Sequence, residues 1–156
     1  MSNHFEGEST MKPTPKGWPR ISSAVFYEDA AKAIDWLCDA FGFEVRLRVE
    51  GDGGRIEHSE LTFGPDGLIM VGDARRSPEK AAMPCASPRA LNGAVTQALC
   101  LFVDDVDAHA AKARAAGAVI AEEPRTTDYG DDYWTDRSYR AVDPEGHHWW
   151  FMQRMK

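Results

Sequence analysis

The chain lacks long apolar runs, an excess of basic residues and any abundance of cysteine, and each of these absences removes a class of function. No stretch approaches the roughly 20 apolar residues that a membrane helix needs. The opening Met1-Ser2-Asn3-His4-Phe5-Glu6-Gly7 has neither the basic nor the apolar part of a secretory leader, so no membrane partner and a cytoplasmic location are expected. Lys and Arg number 18 against 25 Asp and Glu, which gives a formal charge of −7. Such a chain has no sequence-independent grip on phosphate backbones, so nucleic acid is not an expected partner and a neutral or cationic small molecule is. The three cysteines, Cys38, Cys85 and Cys100, show no Cys-x-x-Cys spacing and would leave one thiol over if two paired, which predicts reduced thiols.

What is present is a chain of 156 residues, 43% hydrophobic, enough for a real core. Residues 1–18 mix Gly, Pro, Lys and Thr without a period and predict a flexible N-terminal lead-in. Ile21 to Tyr27 reads as a strand. Asp29 then caps a helix with Ala30, Ile34, Leu37 and Phe41 on one face, and Gly42 ends it. Phe43 to Val49 alternates apolar with charged residues, and Gly51-Asp52-Gly53-Gly54 turns the chain back. In Arg55 to Phe63, Ile56, His58, Glu60 and Thr62 share one face of a strand, and Glu57, Ser59, Leu61 and Phe63 the other. Gly64-Pro65-Asp66-Gly67 makes another turn before a strand at Leu68-Ile69-Met70-Val71. Residues 19–73 thus form a βαβββ module, followed at 74–93 by an Ala-, Pro- and Ser-rich linker or lid loop.

The order then repeats over residues 94–156. Val95 to Val103 reads as a strand, Asp105 caps a helix carrying Val106, Ala110 and Ala113, and Gly117 closes it. Strands at Ala118 to Glu123, about Trp134 to Val142, and His147 to Gln153 follow, with a polar loop at Thr126 to Asp132. Asp29 and Asp105, Gly42 and Gly117, and the turns Gly64-Pro65-Asp66-Gly67 and Asp143-Pro144-Glu145-Gly146 fall in the same order at similar spacing, which points to internal duplication. In the second turn Pro144 presets φ, Asp143 can bond backbone two residues on, and Gly146 accepts positive φ.

These segments, Phe26-Tyr27-Glu28-Asp29 through Phe41-Gly42-Phe43-Glu44, Val103 to Asp107 through Gly117, Asp136-Arg137, and Asp143 through Trp149, resemble the vicinal oxygen chelate superfamily of glyoxalases, bleomycin-resistance proteins and extradiol dioxygenases. His58-Ser59-Glu60-Leu61 and Asp136-Arg137 are similar to its PhnB-like branch. The resemblance implies an α+β fold in which two βαβββ modules form a curved mixed sheet around a cavity, often in a homodimer. It also implies a divalent metal on one side chain from each of four strands. Here those positions fall near Ser22, Ala98, Met70 (or Val71) and Trp150, or Gln97 and Trp149 with a register slip of one, so no metal or other cofactor is expected.

Candidate site residues follow from strand geometry. His58 and Glu60 share a face, and a carboxylate beside an imidazole can hold its tautomer for proton transfer, while an outward polar face would give the same letters. His147 and His148 point to opposite faces and cannot ligate one ion from regular β geometry. His148, Trp150 and Met152 share a face that the resemblance turns toward the cavity, with Phe102 and Met70 on neighbouring strands; ordinary core is the competing reading. Tyr133 and Trp134 add aromatic surface near Asp131, Asp132 and Asp136, and Arg137 either binds an anion or pairs with those aspartates. Trp36, off the apolar face of its helix, is a candidate subunit contact. The functional expectation is a binder of an aromatic or cationic small molecule; the alternative is a lyase, isomerase or dioxygenase, metal-dependent or proton-transferring, using His58 and Glu60.

Overall fold

The computed structural model describes residues 11–74 and 83–156. The first module comprises β1 (Ser23–Tyr27), α1 (Ala30–Phe41), β2 (Glu44–Glu50), β3 (Ile56–Phe63) and β4 (Gly67–Asp73). The second comprises β5 (Leu99–Phe102), α2 (Val106–Ala115), β6 (Val119–Asp128), β7 (Thr135–Val142) and β8 (His148–Arg154). Both helices begin on an aspartate, as their sequences predict: Asp29 Oδ1 accepts from the Lys32 N–H at 3.1 Å and Asp105 Oδ1 from the Ala108 N–H at 3.0 Å. The chain leaves α1 through Gly42 at φ +85°, a left-handed conformation that other residues rarely adopt.

Each module makes a four-stranded mixed sheet, ordered β1-β4-β3-β2 and β5-β8-β7-β6, with its first strand parallel to its last and the other pairs antiparallel. The α+β architecture of two βαβββ modules is therefore present, in two sheets that are not closed into one. One core joins the helix-bearing sides of both. The ring of Phe41, at the end of α1, lies 5.5 Å from that of Trp149 and 4.7 Å from that of Phe151, both on β8. Large rings packed at these separations join the two modules across the core.

Polar groups reinforce the joint. The Tyr27 hydroxyl donates to Asp143 Oδ2 at 2.7 Å, and Glu145 accepts from the backbone N–H of Glu28 and of Asp29. The Trp36 indole donates to the Ala116 carbonyl at 2.7 Å, so this half-buried ring is a staple between α1 and the end of α2.

Three local differences from the sequence-based expectation have physical causes. A register shift between Val49 and Glu50 turns Ile56 into the core at 4% exposure, away from the face of His58 and Glu60. A second shift between Val45 and Leu47 sets Leu47 opposite Glu60 and Val49 opposite His58, so these apolar residues lie uncovered on the polar face of β3. Strand β5 starts at Leu99, and β6 runs to Asp128, absorbing the first part of the expected loop, because β7 offers partners from Thr135 onward. Within the expected lid loop, residues 75–82 lie outside the described residues; Pro88–Leu91 form a helical turn, and the buried Ser87 donates to Glu145 Oε1 at 2.7 Å.

Candidate functional site

With one face of each sheet committed to the shared core, chemistry is available on the opposite faces. Along β8, Trp149 and Phe151 point inward at 1% and 0% exposure. His148, Trp150 and Met152 therefore alternate to the open face, and register places Cys100 beside Trp150 and Phe102 beside Met152. Strand β7 adds Asp136, Ser138 and Arg140 opposite Arg154, Met152 and Trp150. The Arg140 guanidinium lies 5.7 Å from the centre of the Trp150 ring, donates to His148 Nδ1 at 2.5 Å and reaches Glu122 Oε1 at 3.3 Å. Burial and then the Arg140 charge push the His148 imidazole below its ordinary value, which matches a neutral ring accepting from a cation.

The open face of the first sheet carries a separate polar group. His58 Nε2 lies 3.0 Å from Glu60 Oε1, and Arg46 Nε donates to Glu60 Oε2 at 2.8 Å. The bond from His58 and then the Arg46 guanidinium hold the Glu60 carboxyl below the usual carboxylate range. Arg46 also donates to the Gly17 carbonyl and sits 5.0 Å from the centre of the Trp18 ring, so the segment before β1 rests on this face. With Nε2–H directed to Glu60, the other imidazole nitrogen is left as a proton acceptor.

The remaining candidates divide. Trp134 and Asp136 share the open side of β7, the indole Nε1 donating to Asp136 Oδ2 at 3.2 Å, with the exposed Tyr133 beside them. Arg137 points the other way, in a two-point pair with Asp107 at the start of α2, at 2.8 Å for each bond. It pairs with an aspartate, but not with any of the three near it in sequence. His147 Nε2 bonds the Phe26 carbonyl at 2.7 Å. Met70 lies opposite Ala24. Phe102, 59% exposed, also borders a cleft of about 710 Å³ between the modules that Phe43, Phe63 and Leu68 line.

The donor set does not fit a divalent metal. Of the four positions where the resemblance sets ligands, Met70 and Trp150 lie within β4 and β8, while Ser22 and Ala98 precede β1 and β5; the strand neighbours of Met70 and Trp150 are Ala24 and Cys100, so the set offers a single thiol and a single hydroxyl among apolar groups. Among the described residues no three or more of His, Cys, Asp and Glu gather around one point.

Sequence reasoning missed Arg46, Arg140 and Trp18, because a register shift and a fold-back decide what they touch. It read Asp143 only as a turn former. Its Oδ1 accepts from the N–H of Glu145, Gly146 and His147, each at 3.0 Å, and its Oδ2 from Tyr27 and Trp149 at 2.7 and 3.0 Å.

Two βαβββ modules, each with an open sheet face, define the class, and similarity to known proteins defines the family. The profile of the Glyoxalase/Bleomycin resistance protein/Dioxygenase superfamily matches residues 19–151, and the chain belongs to that superfamily. An uncharacterised protein of Mycobacterium bovis is 32% identical over 131 residues, 84% of this chain and 80% of the relative. The crystal structure of TioX from Micromonospora sp. ML1 superposes with a TM-score of 0.65 at 30% identity, covering 86% of this chain and 98% of that one. A glyoxalase/bleomycin resistance protein from Streptomyces sp. CB03234, at 24% identity and TM-score 0.57 over 83% of this chain and 96% of that one, shares the fold.

Proposed function

We propose that this chain is a small-molecule binding protein of its superfamily, near the PhnB-like branch, that takes an aromatic or cationic ligand against the open face of β5, β7 and β8 without a metal. The observation that carries this reading is Trp150. Its half-buried indole lies on the open face between Cys100 and Arg140, flanked by His148 and Met152, with Arg140 near its ring and the exposed Cys100 and Phe102 on the next strand leaving the surface beside it open to a ligand. A planar ring stacks on Trp150 from the side Arg140 does not occupy, and Phe102 and Met152 supply adaptable apolar contact.

The site is cytoplasmic in this reading, and a second copy covers the exposed Leu47, Val49 and Val119 to make a homodimer. Light scattering after size exclusion checks the assembly. The ligand reading is checked by tryptophan quenching and thermal shift with planar aromatic and cationic dyes. Wild type should respond and Trp150→Ala should lose the response to planar rings; silence of wild type across such compounds overturns it.

The second reading, a proton-transfer enzyme, is favoured by the 3.0 Å pair of His58 and Glu60 with Arg46 behind it. It predicts turnover that His58→Gln abolishes. Metal analysis of protein purified without chelator checks the metal-free claim, since a stoichiometric transition metal would contradict the donor set.

A further inference from the structure

The hairpin between β6 and β7 gathers three aromatic rings at its tip. Gly130 donates to Asp128 Oδ1 at 3.0 Å and Tyr133 donates to the Gly130 carbonyl at 3.1 Å, folding residues 128–133 tightly enough that Tyr129 and Tyr133 flank Trp134. The ring centres of Tyr129 and Trp134 are 5.7 Å apart at 48°, and those of Tyr133 and Trp134 are 6.1 Å apart at 68°. All three residues are exposed, at 50%, 70% and 46%. Aromatic rings this exposed are not core.

Behind the central ring lies a carboxylate that the protein does not satisfy. Asp136 is 2% exposed, its Oδ2 accepts from the Trp134 indole at 3.2 Å, and its Oδ1 has no hydrogen-bond partner. Its cross-strand neighbours on that face are Thr127 and Arg154, and Arg154 donates instead to the Lys156 carbonyl at 3.3 Å. A buried carboxylate oxygen with no donor carries its desolvation cost uncompensated. A cation seated against Trp134 would offset part of that cost through its charge and meet the negative faces of the rings at the same time.

We infer that Tyr129, Tyr133, Trp134 and Asp136 form a subsite for an organic ammonium group, with Asp136 as its counter-ion and the rings as its walls. The inference rests on the reading of the second sheet as the ligand face and extends it. Trp150 already carries an internal cation, Arg140, so the ligand's aromatic plane belongs there and its positive end belongs at the hairpin. The subsite selects ammonium or alkylammonium groups over neutral groups of the same shape.

The probe is choline titrated against its uncharged isostere 3,3-dimethylbutanol, followed by the indole N–H resonance of Trp134, assigned with Trp134→Phe. Choline should move that resonance saturably and the alcohol should not. Asp136→Asn keeps an acceptor for the indole but removes the charge, and should weaken choline by about tenfold or more with unchanged or higher thermal stability. An equal response to the alcohol, or an unchanged choline affinity in a folded Asp136→Asn, overturns the inference. Should Asp136→Asn fail to fold, Tyr133→Ala at its exposed position decides instead: loss of choline binding supports the subsite, and unchanged binding overturns it. Failure of Trp150→Ala to affect planar dyes while choline still binds would sink the parent reading alone, and the converse result would sink this one alone.

Discussion

Replacing Asp143 by Ala tests whether the turn between β7 and β8 is what fastens the two modules together. The carboxylate is 4% exposed and accepts five hydrogen bonds, three from the backbone of its own turn, one from Tyr27 of the first module and one from the indole of Trp149. Alanine removes every acceptor and leaves the Tyr27 hydroxyl and the Trp149 N–H facing one another in a space closed to water. Two stranded buried donors cost roughly 1–3 kcal/mol each, and the turn loses its Asx bonds besides, so a loss of about 4 kcal/mol is expected. For a chain of this size ~4 kcal/mol lowers the melting temperature by about 8–16 °C. Tyr27→Phe removes one bond only and should cost about 1–2 kcal/mol. Guanidinium titration followed by tryptophan emission measures both. A loss below about 1 kcal/mol in Asp143→Ala would show that water enters and replaces the carboxylate, and the fastening argument would be refuted.

Other perturbations follow from the same contacts. Trp36→Phe keeps an aromatic ring but removes the bond to the Ala116 carbonyl, and should lower the guanidinium midpoint by an amount equivalent to about 1 kcal/mol. His109 accepts from the Tyr139 hydroxyl at 2.6 Å and donates to the Phe41 carbonyl at 2.8 Å, and burial pushes its imidazole below the ordinary value. The unfolded chain therefore takes up this proton first, so stability falls as pH drops below about 6.5, and His109→Gln should reduce that slope in pH-dependent melts. Burial works against ionisation of Glu145, yet bonds from Ser87, Glu28 and Asp29 hold its carboxyl low. Its contribution is therefore intact above the unfolded value near 4.3 and lost in stronger acid, which Glu145→Gln should blunt.

Helix caps, helix ends and Pro-Gly turns were legible because each depends on residues adjacent in sequence. Asp29, Asp105 and Gly42 do what their letters imply, and the turn at Asp143 falls where Pro144 and Gly146 require. The pairing of His58 with Glu60 and the outward set His148, Trp150 and Met152 were legible through the period of two. What was not legible depends on register. Two shifts between β2 and β3 moved Ile56 inward and left Leu47 and Val49 uncovered, and no local signal marks the irregularities, at Arg46 between Val45 and Leu47 and again between Val49 and Glu50. Arg137 turned to Asp107 because the odd residues of β7 face α2, so proximity in sequence to Asp131, Asp132 and Asp136 counted for nothing. Trp36 looked exposed because helical periodicity describes one helix, whereas its partner Ala116 lies at the end of another.

The two open faces differ in how far their charges are already satisfied, and that difference favours the second face for the proposed ligand. On the first sheet, both oxygens of Glu60 are occupied and Arg46 is held by Glu60, Gly17 and Trp18, so an incoming charged group must break a pair before it makes one. On the second sheet, Arg140 is likewise engaged with Glu122, His148 and Trp150, yet Asp136 retains an unpaired oxygen at the edge of an exposed aromatic cluster. A cation there would act by charge on a carboxylate that is not fully paired, whereas binding at Glu60 exchanges one charge-assisted contact for another. The N-terminal segment adds to the asymmetry, since Trp18 already lies on the first face and a ligand must displace it. The proposed ligand, a positively charged aromatic molecule with its plane on Trp150 and its cation toward Trp134, would therefore gain more on the second face than on the first.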